Sequence, residues 1–446
     1  MRGLRSLILL LIIALPLGWF AYRDYQKPAG DDGPKKDKVF AVESDKIDEI
    51  AVKSESGERT QLQKSGTEWK IASAGGAKPD ANEISGLTSN LSSLEVDRVV
   101  DENPPDLKEY GLAQPRIEVA FKSGGQQHTL LIGQKTPPGT DLYAKRADDK
   151  KVFLIPSHLE STFNKSTFDF RDKAVMKVER DKLDALEFTA GDRSSRFVRP
   201  AGGEWQIAAP VQARADFSAI EGLVSRLSGL QMKSIIDTPE ADPTKYGFDK
   251  PAATVKFGTG SSQATLVLGG KAAEGTIYAR DLSRSTVFTV ESTVLDELKK
   301  EPSEYRQKDL FDARSFNATR IEIVRAGQTH TFEKTKTKNK EGQEEEKWRQ
   351  VSPQTRELDQ PTFDKLVSAL TGIRATGFVD APAAAKALAA PELAVAIKFD
   401  EGKKEEKVTL GKAGTDAFAS RAGEPGAAKV DASAIDGAVK ALQELK

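Results

Sequence analysis

Trp69-Lys70-Ile71 recurs further along the chain as Trp205-Gln206-Ile207. Tyr110-Gly111-Leu112 recurs at the same offset as Tyr246-Gly247-Phe248. Separate landmarks that share one offset indicate an internal repeat, because chance similarities do not keep a common spacing. The sequence therefore predicts at least two copies of one structural unit.

A glycine that ends an apolar segment marks the same period and reveals a third copy. Gly133 recurs as Gly269 at the offset of the first two landmarks, and Gly411 follows after a slightly longer interval. Trp348 follows the second tryptophan at a similarly lengthened interval. The charged run Lys334–Lys347 accounts for the extra length of the third copy. This run could be a protrusion that binds a partner or a solvated hairpin extension, and its nearly balanced charges favour the hairpin.

The first half of each copy has the same order of predicted elements. Three strands come first, and the first strand of each copy covers Ile47–Val52, Leu183–Phe188 and Ile321–Val324. A helix follows, because apolar residues recur at spacings of three and four. These residues are Ile84, Leu87, Leu91 and Leu94 in the first copy, Ile220, Leu223, Val224, Leu227 and Leu230 in the second, and Phe363, Leu366, Val367, Leu370 and Ile373 in the third.

The second half of each copy passes through a loop rich in proline or alanine into four short strands. In the first copy these strands cover Arg116–Phe121, Thr129–Ile132, Leu142–Lys145 and Val152–Ile155. Alternating apolar and polar residues with frequent turns predict an antiparallel sheet with one solvated face, and the single amphipathic helix can cover the other face. We therefore expect an α+β fold of three tandem modules, at residues 38–174, 175–311 and 312–446.

Composition excludes several classes of protein. Positive and negative charges nearly cancel, with 66 Lys and Arg against 67 Asp and Glu, whereas a nucleic-acid-binding protein would show a basic excess. The chain has no cysteine. Disulfide bonds, thiolate chemistry, cysteine-based zinc sites and lipoprotein acylation are therefore excluded.

Residues 1–23 predict an uncleaved membrane anchor. The apolar run Leu7–Ala21 has 15 residues, and a helix of that length spans about 22 Å, against about 30 Å for a bilayer core. A cleaved signal peptide is the alternative, but no pattern of small residues follows the run. Trp19 and Tyr22 suit the membrane interface. We expect residues 24–37 to form a flexible tether, with the bulk of the chain outside the cytoplasmic membrane.

The sequence shows no motif for catalysis, so we predict no catalytic, cofactor-binding or metal-binding residues. His128, His158 and His330 are not paired at helical spacing, whereas transition-metal sites favour clusters of His or Cys. His128 and His330 each lie beside a threonine in a predicted strand, which indicates solvent-facing or edge positions. Gly269-Gly270-Lys271 lacks the spacing of a phosphate-binding loop, and we interpret it as a hairpin turn.

Recurrent aspartates, tryptophans and tyrosines have two interpretations each. The aspartates could bind calcium or a basic partner, or could stabilise turns at strand ends. The tryptophans could stack on sugars or form the packing centres of their modules, and the tyrosines could be surface contacts or could pin a loop onto the core. We favour the structural interpretation in all three cases. The residues are Asp101, Asp237 and Asp380, then Trp69, Trp205 and Trp348, and finally Tyr110 and Tyr246.

Taken together, these features resemble the bacterial DUF4340 family. The resemblance covers the first two copies, whereas residues 386–391 of the third keep only the proline of the Tyr-Gly segment. It implies an inner-membrane envelope protein without established activity, often encoded beside components of ABC-type transporters or gliding-type systems, and it transfers no catalytic residues. The segments that carry the resemblance are the N-terminal anchor, Ile47–Val52, Trp69-Lys70-Ile71, Tyr110-Gly111-Leu112 with Pro115, Leu131-Ile132-Gly133 and Phe170-Arg171-Asp172-Lys173.

Three functions remain open from the sequence. The first is a membrane-anchored, non-enzymatic scaffold or accessory subunit whose repeated surfaces bind a protein partner, because tandem repeats provide extended surface. The second is a periplasmic module that binds polysaccharide or peptidoglycan. The third is an enzyme with a site between modules. We favour the first, with no cofactor and no nucleic-acid partner.

Overall fold

The computed structural model describes residues 36–338 and 344–445. The membrane anchor and nearly all of the tether predicted from the sequence lie outside the described residues. Within the part of the chain that is described, no helix combines the length and apolarity needed to cross a membrane. Contacts divide the chain into two compact units, one that ends at Asp172 and one that begins at Lys173.

The first unit is an antiparallel sheet of eight strands with a helix on one face. Helix α1 (Ala81–Ser93) leaves one edge strand and leads to the strand at the opposite edge, so it crosses the whole sheet. Two short helices, α2 (Glu160–Phe163) and α3 (Thr167–Phe170), follow the last strand. The strands lie in the order β3-β2-β1-β5-β6-β7-β8-β4. They are β1 (Ile47–Lys53), β2 (Arg59–Ser65), β3 (Glu68–Ile71), β4 (Arg98–Asp101), β5 (Ile117–Ser123), β6 (Gln126–Lys135), β7 (Asp141–Arg146) and β8 (Val152–Pro156).

The second unit contains two further sheets of nine strands each. In the first of these, helix α4 (Phe217–Ser228) again connects opposite edges, and α5 (Val294–Leu298) follows the last strand. The order is β12-β11-β10-β9-β14-β15-β16-β17-β13. The strands are β9 (Ala185–Ala190), β10 (Arg193–Val198), β11 (Gln206–Ala209), β12 (Ala213–Arg214), β13 (Ser234–Ile236), β14 (Ala253–Thr259), β15 (Ser262–Lys271), β16 (Thr276–Asp281) and β17 (Val287–Glu291).

The other sheet of the second unit repeats this plan with the order β21-β20-β19-β18-β23-β24-β25-β26-β22. Helix α6 (Gln360–Thr371) connects its edges, and α7 (Ala381–Ala389) and α8 (Ala432–Glu444) complete the module. The strands are β18 (Ala318–Arg325), β19 (Gln328–Lys338), β20 (Glu344–Ser352), β21 (Arg356–Glu357), β22 (Gly377–Val379), β23 (Leu393–Phe399), β24 (Lys404–Ala413), β25 (Asp416–Arg421) and β26 (Ala427–Val430).

An aspartate begins the main helix of every module. The side chains of Asp80, Asp216 and Asp359 accept hydrogen bonds from free backbone N–H groups of the first turn. Such a cap contributes about 0.5–2 kcal/mol. A helix of this length is marginal in water on its own, so burial of its apolar face against the sheet must supply the rest. The buried residues are Ile84, Leu87, Thr88 and Leu91 in α1, Ile220, Leu223, Val224 and Leu227 in α4, and Phe363, Leu366, Val367, Leu370 and Thr371 in α6.

The recurrent glycine ending each apolar segment has a steric reason. A Cβ placed on Gly133 or Gly269 would lie 2.1 Å from the carbonyl oxygen of the preceding tyrosine loop. In the third module, a Cβ on Gly411 would lie 2.0 Å from the carbonyl oxygen of Ala387. Glycine therefore lets the connecting segment approach the strand backbone, and α7 makes this approach where the tyrosine loop is missing.

The predicted α+β fold of three repeated modules is confirmed, and several details differ. The predicted Ala-rich loop after Asp380 is helix α7, because alanine has the highest helix propensity and Pro382 occupies the first turn. The single-helix prediction for each module is incomplete, because α8 packs beside α6 over the third sheet. Leu310 and Phe311 already belong to the third core, so the chain enters that module before residue 312.

Candidate functional site

The three recurrent tryptophans do not share one environment. Trp205 is 2% exposed and Trp348 is 4% exposed, in agreement with a packing role, whereas Trp69 is only partly buried at the edge of the first core. The indole N–H of Trp205 donates to Glu221 at 2.9 Å. Trp348 packs on Phe363 with ring centroids 4.9 Å apart.

The recurrent aspartates lie at the ends of strands. The Asp101 carboxylate accepts a hydrogen bond from the backbone N–H of Asn103 at 2.9 Å, as the turn interpretation requires. Asp237 follows β13 directly, and Asp380 precedes the first residue of α7 without a side-chain cap bond. Among the described residues, no group of three or more His, Cys, Asp or Glu side chains could hold a metal ion.

The interpretation of Gly269-Gly270-Lys271 as a hairpin turn is wrong. These residues are the last three of β15, at an irregularity of its pairing with β16. The pair of glycines gives room for the chain at Tyr246 and Gly247. A Cβ on Gly269 would lie 2.1 Å from the carbonyl oxygen of Tyr246, and a Cβ on Gly247 would lie 2.5 Å from the backbone nitrogen of Gly270. The turn itself follows Lys271.

The histidines and tyrosines have structural contacts. His128 lies on the inner strand β6, so the edge alternative is wrong for this residue, and its partly buried ring packs against Phe121 with centroids 5.1 Å apart. Burial lowers the pKa of His330, and the charges of nearby arginines lower it further. Tyr110 packs edge-on against Tyr143 at 5.2 Å. The hydroxyl of Tyr246 accepts a hydrogen bond from the backbone of Glu240 at 3.0 Å, so both tyrosines pin their loops.

Within the second unit, a buried carboxylate holds the segment that joins the two modules. The side chain of Glu406 is 1% exposed. It accepts hydrogen bonds at 2.9 Å from the backbone N–H groups of Asp312 and Ala313, and it forms an ion pair with Arg421 at 3.2 Å. A buried charge that is both paired and hydrogen-bonded is tolerated, and its removal would leave these donors unsatisfied.

A second carboxylate, Glu424, connects arginines from both modules. It pairs with Arg214 at 2.6 Å and with Arg306 at 3.3 Å, and Arg421 approaches it to 3.6 Å. The guanidinium of Arg306 also stacks on the ring of Phe378, 3.8 Å from the centroid. This network spans the junction and therefore fixes one module of the second unit against the other.

A groove of about 290 Å³ opens above this network. Its walls are mainly apolar, and Arg306 and Asp380 are the charged residues of its lining. Val211 lines the groove and is 38% exposed. A mostly apolar surface with an aromatic ring and an arginine is typical of the core of a protein–protein interface. The full lining is Ile207, Val211, Pro302, Ser303, Arg306, Phe378, Val379, Asp380, Pro425 and Gly426.

Sequence reasoning did not find this junction. Arg214 and Glu424 are 210 residues apart, so no local spacing reveals their pairing. One signal was present, because Arg306 belongs to the Tyr-Arg-Gln-Lys segment that repeats Phe170-Arg171-Asp172-Lys173. An arginine retained between copies at a module boundary could have been interpreted as a junction contact.

The fold and the groove define a tandem-repeat α+β protein. The profile described as "Domain of unknown function (DUF4340)" matches residues 69–204 and 205–391, which together exceed half of the sequence, and the chain belongs to this family. No curated protein and no solved structure matches the chain. Both matched segments begin at a recurrent tryptophan, so the first ends after the first two strands of the next module.

Proposed function

We propose that the chain is a membrane-anchored, non-enzymatic scaffold or accessory subunit that binds a protein partner. The partner is a component of an ABC-type transporter or of another envelope system. The observation that supports this role is the junction groove, whose mainly apolar walls and stacked Arg306–Phe378 pair have the composition of an interface. The N-terminal anchor would hold the modules at the surface of the bacterial inner membrane.

Rigidity at the junction strengthens the proposal. Glu406 and Glu424 hold the two modules together before any partner arrives. A surface that is already ordered loses less conformational entropy on binding than a flexible one. The second unit therefore presents the groove in one geometry.

The test is site-specific photo-crosslinking of the full chain in cells. A crosslinking amino acid replaces Val211, which lines the groove and is 38% exposed, and a control replaces Leu282, which lies outside the groove and is 56% exposed. The expected result is a crosslink to a transporter or envelope subunit from position 211 and none from position 282. Mass spectrometry identifies the captured protein.

A loss-of-binding variant completes this experiment. Val211→Glu places a charge in the groove at an exposed position, so folding is retained while co-purification of the captured subunit is lost. Equal labelling from both positions would contradict the proposal. Retention of the detergent-extracted protein on peptidoglycan, without any co-purified membrane subunit, would instead favour a cell-wall-binding module.

A further inference from the structure

The first module has a groove beside its recurrent tryptophan. This groove lies between β3 and α1 and has a volume of about 430 Å³. Trp69 and the buried Ile84 contribute its apolar part, and Asp45, Glu68 and Ser85 contribute polar groups. The volume falls within the range of about 300–1,000 Å³ that is usual for small-molecule sites.

The second module shows what normally covers this tryptophan. There, Glu221 accepts the indole N–H of Trp205 at 2.9 Å and binds Arg180 at 2.7 Å. Arg199 stacks over the indole ring, 5.1 Å from the centroid. These side chains close the surface, and Trp205 is 2% exposed as a result.

The first module replaces two of these covering side chains with serine. At the offset that relates Trp69 to Trp205, Ser44 stands where the second module has Arg180, and Ser85 stands where it has Glu221. The positions correspond in space as well, because Lys64 donates to the backbone oxygen of Asp45 at 3.2 Å. Strand pairing makes Arg199 the counterpart of Lys64, one residue short of the common offset, because Leu62 pairs with Ile71 and Phe197 pairs with Ile207. Arg199 makes the same contact, donating to the backbone oxygen of Asp181 at 3.0 Å.

The third module closes the site by another route. Its tryptophan packs against Phe363, where the first module has Ile84, and Gln360 forms hydrogen bonds to both backbone groups of Trp348. Exposure of Trp348 is 4%. Among the described residues, a partly exposed recurrent tryptophan beside a groove is therefore specific to the first module.

The chemistry of the groove fits a carbohydrate. A pyranose ring packs its C–H face on an aromatic ring, and its hydroxyl groups donate to carboxylates and exchange hydrogen bonds with serine hydroxyls. Trp69 offers the ring, Asp45 and Glu68 offer acceptors, and Ser85 and Ser89 offer hydroxyls. We propose that this groove binds a short neutral oligosaccharide. Lys64 and Lys78 also line the groove and balance the two carboxylates, so the lining carries no net charge and suits a neutral glycan.

The proposal goes beyond the scaffold role and does not depend on it. The site lies in the first unit, and the junction groove lies in the second. Loss of saccharide binding would leave crosslinking at Val211 unchanged, so failure of one proposal is distinguishable from failure of the other.

The test titrates the detergent-solubilised full chain with chitotetraose, cellotetraose and an acidic tetragalacturonate at millimolar concentration. Calorimetry reports binding, and a tryptophan fluorescence change that is lost in Trp69→Ala assigns it to Trp69, since Trp205 and Trp348 are buried. The expected result is saturable binding of a neutral tetrasaccharide, weak or absent binding of tetragalacturonate, and at least tenfold weaker binding by Trp69→Ala.

A pair of substitutions tests the groove without removing the tryptophan. The double variant Ser44→Arg with Ser85→Glu restores the covering side chains of the second module. It is expected to weaken binding at least tenfold while circular dichroism and unfolding remain unchanged. Gly86→Ala, on the same helix with nothing within 4 Å of the added Cβ, serves as the control and should bind normally.

Three outcomes would overturn the proposal. They are no saturable binding of either neutral probe, equal binding by the double variant and the unsubstituted chain, and preferential binding of tetragalacturonate. Capture of a protein by a crosslinking amino acid at Thr67, which also lines the groove, would assign the site to a protein partner instead.

Discussion

The substitution Gly269→Ala tests why the glycine at the end of β15 recurs in all three modules. The added Cβ would lie 2.1 Å from the carbonyl oxygen of Tyr246 and 2.9 Å from the ring of Phe248. Gly269 does not have a positive φ, so alanine causes no backbone strain of its own and the effect is purely steric. Overpacking usually costs about 1–3 kcal/mol. A clash with backbone on one side places this variant near the upper end of that range.

The matched control is Gly222→Ala in the same module. Gly222 lies within helix α4, and an added Cβ meets nothing within 4 Å. Alanine is favoured over glycine in a helix by about 0.8–1.0 kcal/mol, so this variant should be more stable. The same chemical change is therefore expected to have opposite signs at two positions of one module.

The assay is native-state hydrogen exchange of the full chain, read by mass spectrometry. Peptides from β15 and from the loop at Tyr246 should lose protection in Gly269→Ala, because local opening becomes easier. Peptides from α4 should gain protection in Gly222→Ala. Unchanged protection of β15, or stabilisation by both substitutions, would refute the steric explanation of the repeat.

Three further results are expected. Burial acts to raise the pKa of Glu221, but hydrogen bonds from Arg180 and Trp205 and nearby positive charge outweigh burial and lower this pKa below its ordinary value of 4.5. The ionised carboxylate therefore stabilises the fold fully above pH 4.5, and this stabilisation is lost as the pH falls through the lowered pKa. A red shift of tryptophan emission would report the loss. Arg306→Ala should lower the free energy of unfolding by about 2 kcal/mol, since a cation–π contact and an ion pair are lost. A double-mutant cycle with Phe378→Ala, measured by urea unfolding, should show coupling between the two residues. Additive effects of the two substitutions would contradict the stacking. Tyr305→Phe should lower the free energy of unfolding by about 1 kcal/mol in a thermal melt, because the lost hydroxyl donates a hydrogen bond to the backbone of Glu297. In the unsubstituted chain, burial raises the pKa of Tyr305, so its tyrosinate absorbance should develop only on unfolding.

The order of strands and helices could be predicted from the sequence because the repeat shows it three times. Predicted boundaries such as Ile47–Val52 agree with β1 (Ile47–Lys53) to within one residue. Alternation of buried and exposed side chains is local information, and a single segment carries it. The charged run Lys334–Lys347 also forms a hairpin extension in its described part, where Lys336 pairs with Glu346.

Prediction failed where a residue's role depends on distant parts of the chain. Gly269 looked like a turn glycine, since nothing nearby in sequence shows that the carbonyl of Tyr246 approaches it. The segment Ala381–Ala389 looked like a loop because the other copies have a loop there, and its own alanine content predicts a helix when considered alone. The comparison between copies was informative for shared features and misleading for this divergent one.

The candidate sites were still harder to predict. The groove at Trp69 results from two serines that replace covering side chains, and the sequence offset shows the replacement, but only the structure of the second module shows that those side chains cover the tryptophan. The junction network joins Arg214 to Glu424 across 210 positions. Neither feature has a sequence motif, and each needed the coordinates of a neighbouring module for its interpretation.

The short outer strands of the second unit have a consequence for how the chain avoids self-association. β12 and β21 have two residues each, and β13 and β22 have three. Similar sheets joined in one polypeptide risk exchanging hairpins with one another or with other molecules, and long free ladders would serve as templates for this exchange. Outer strands this short offer few unsatisfied backbone groups, so neighbouring copies of the chain have little free ladder on which to pair.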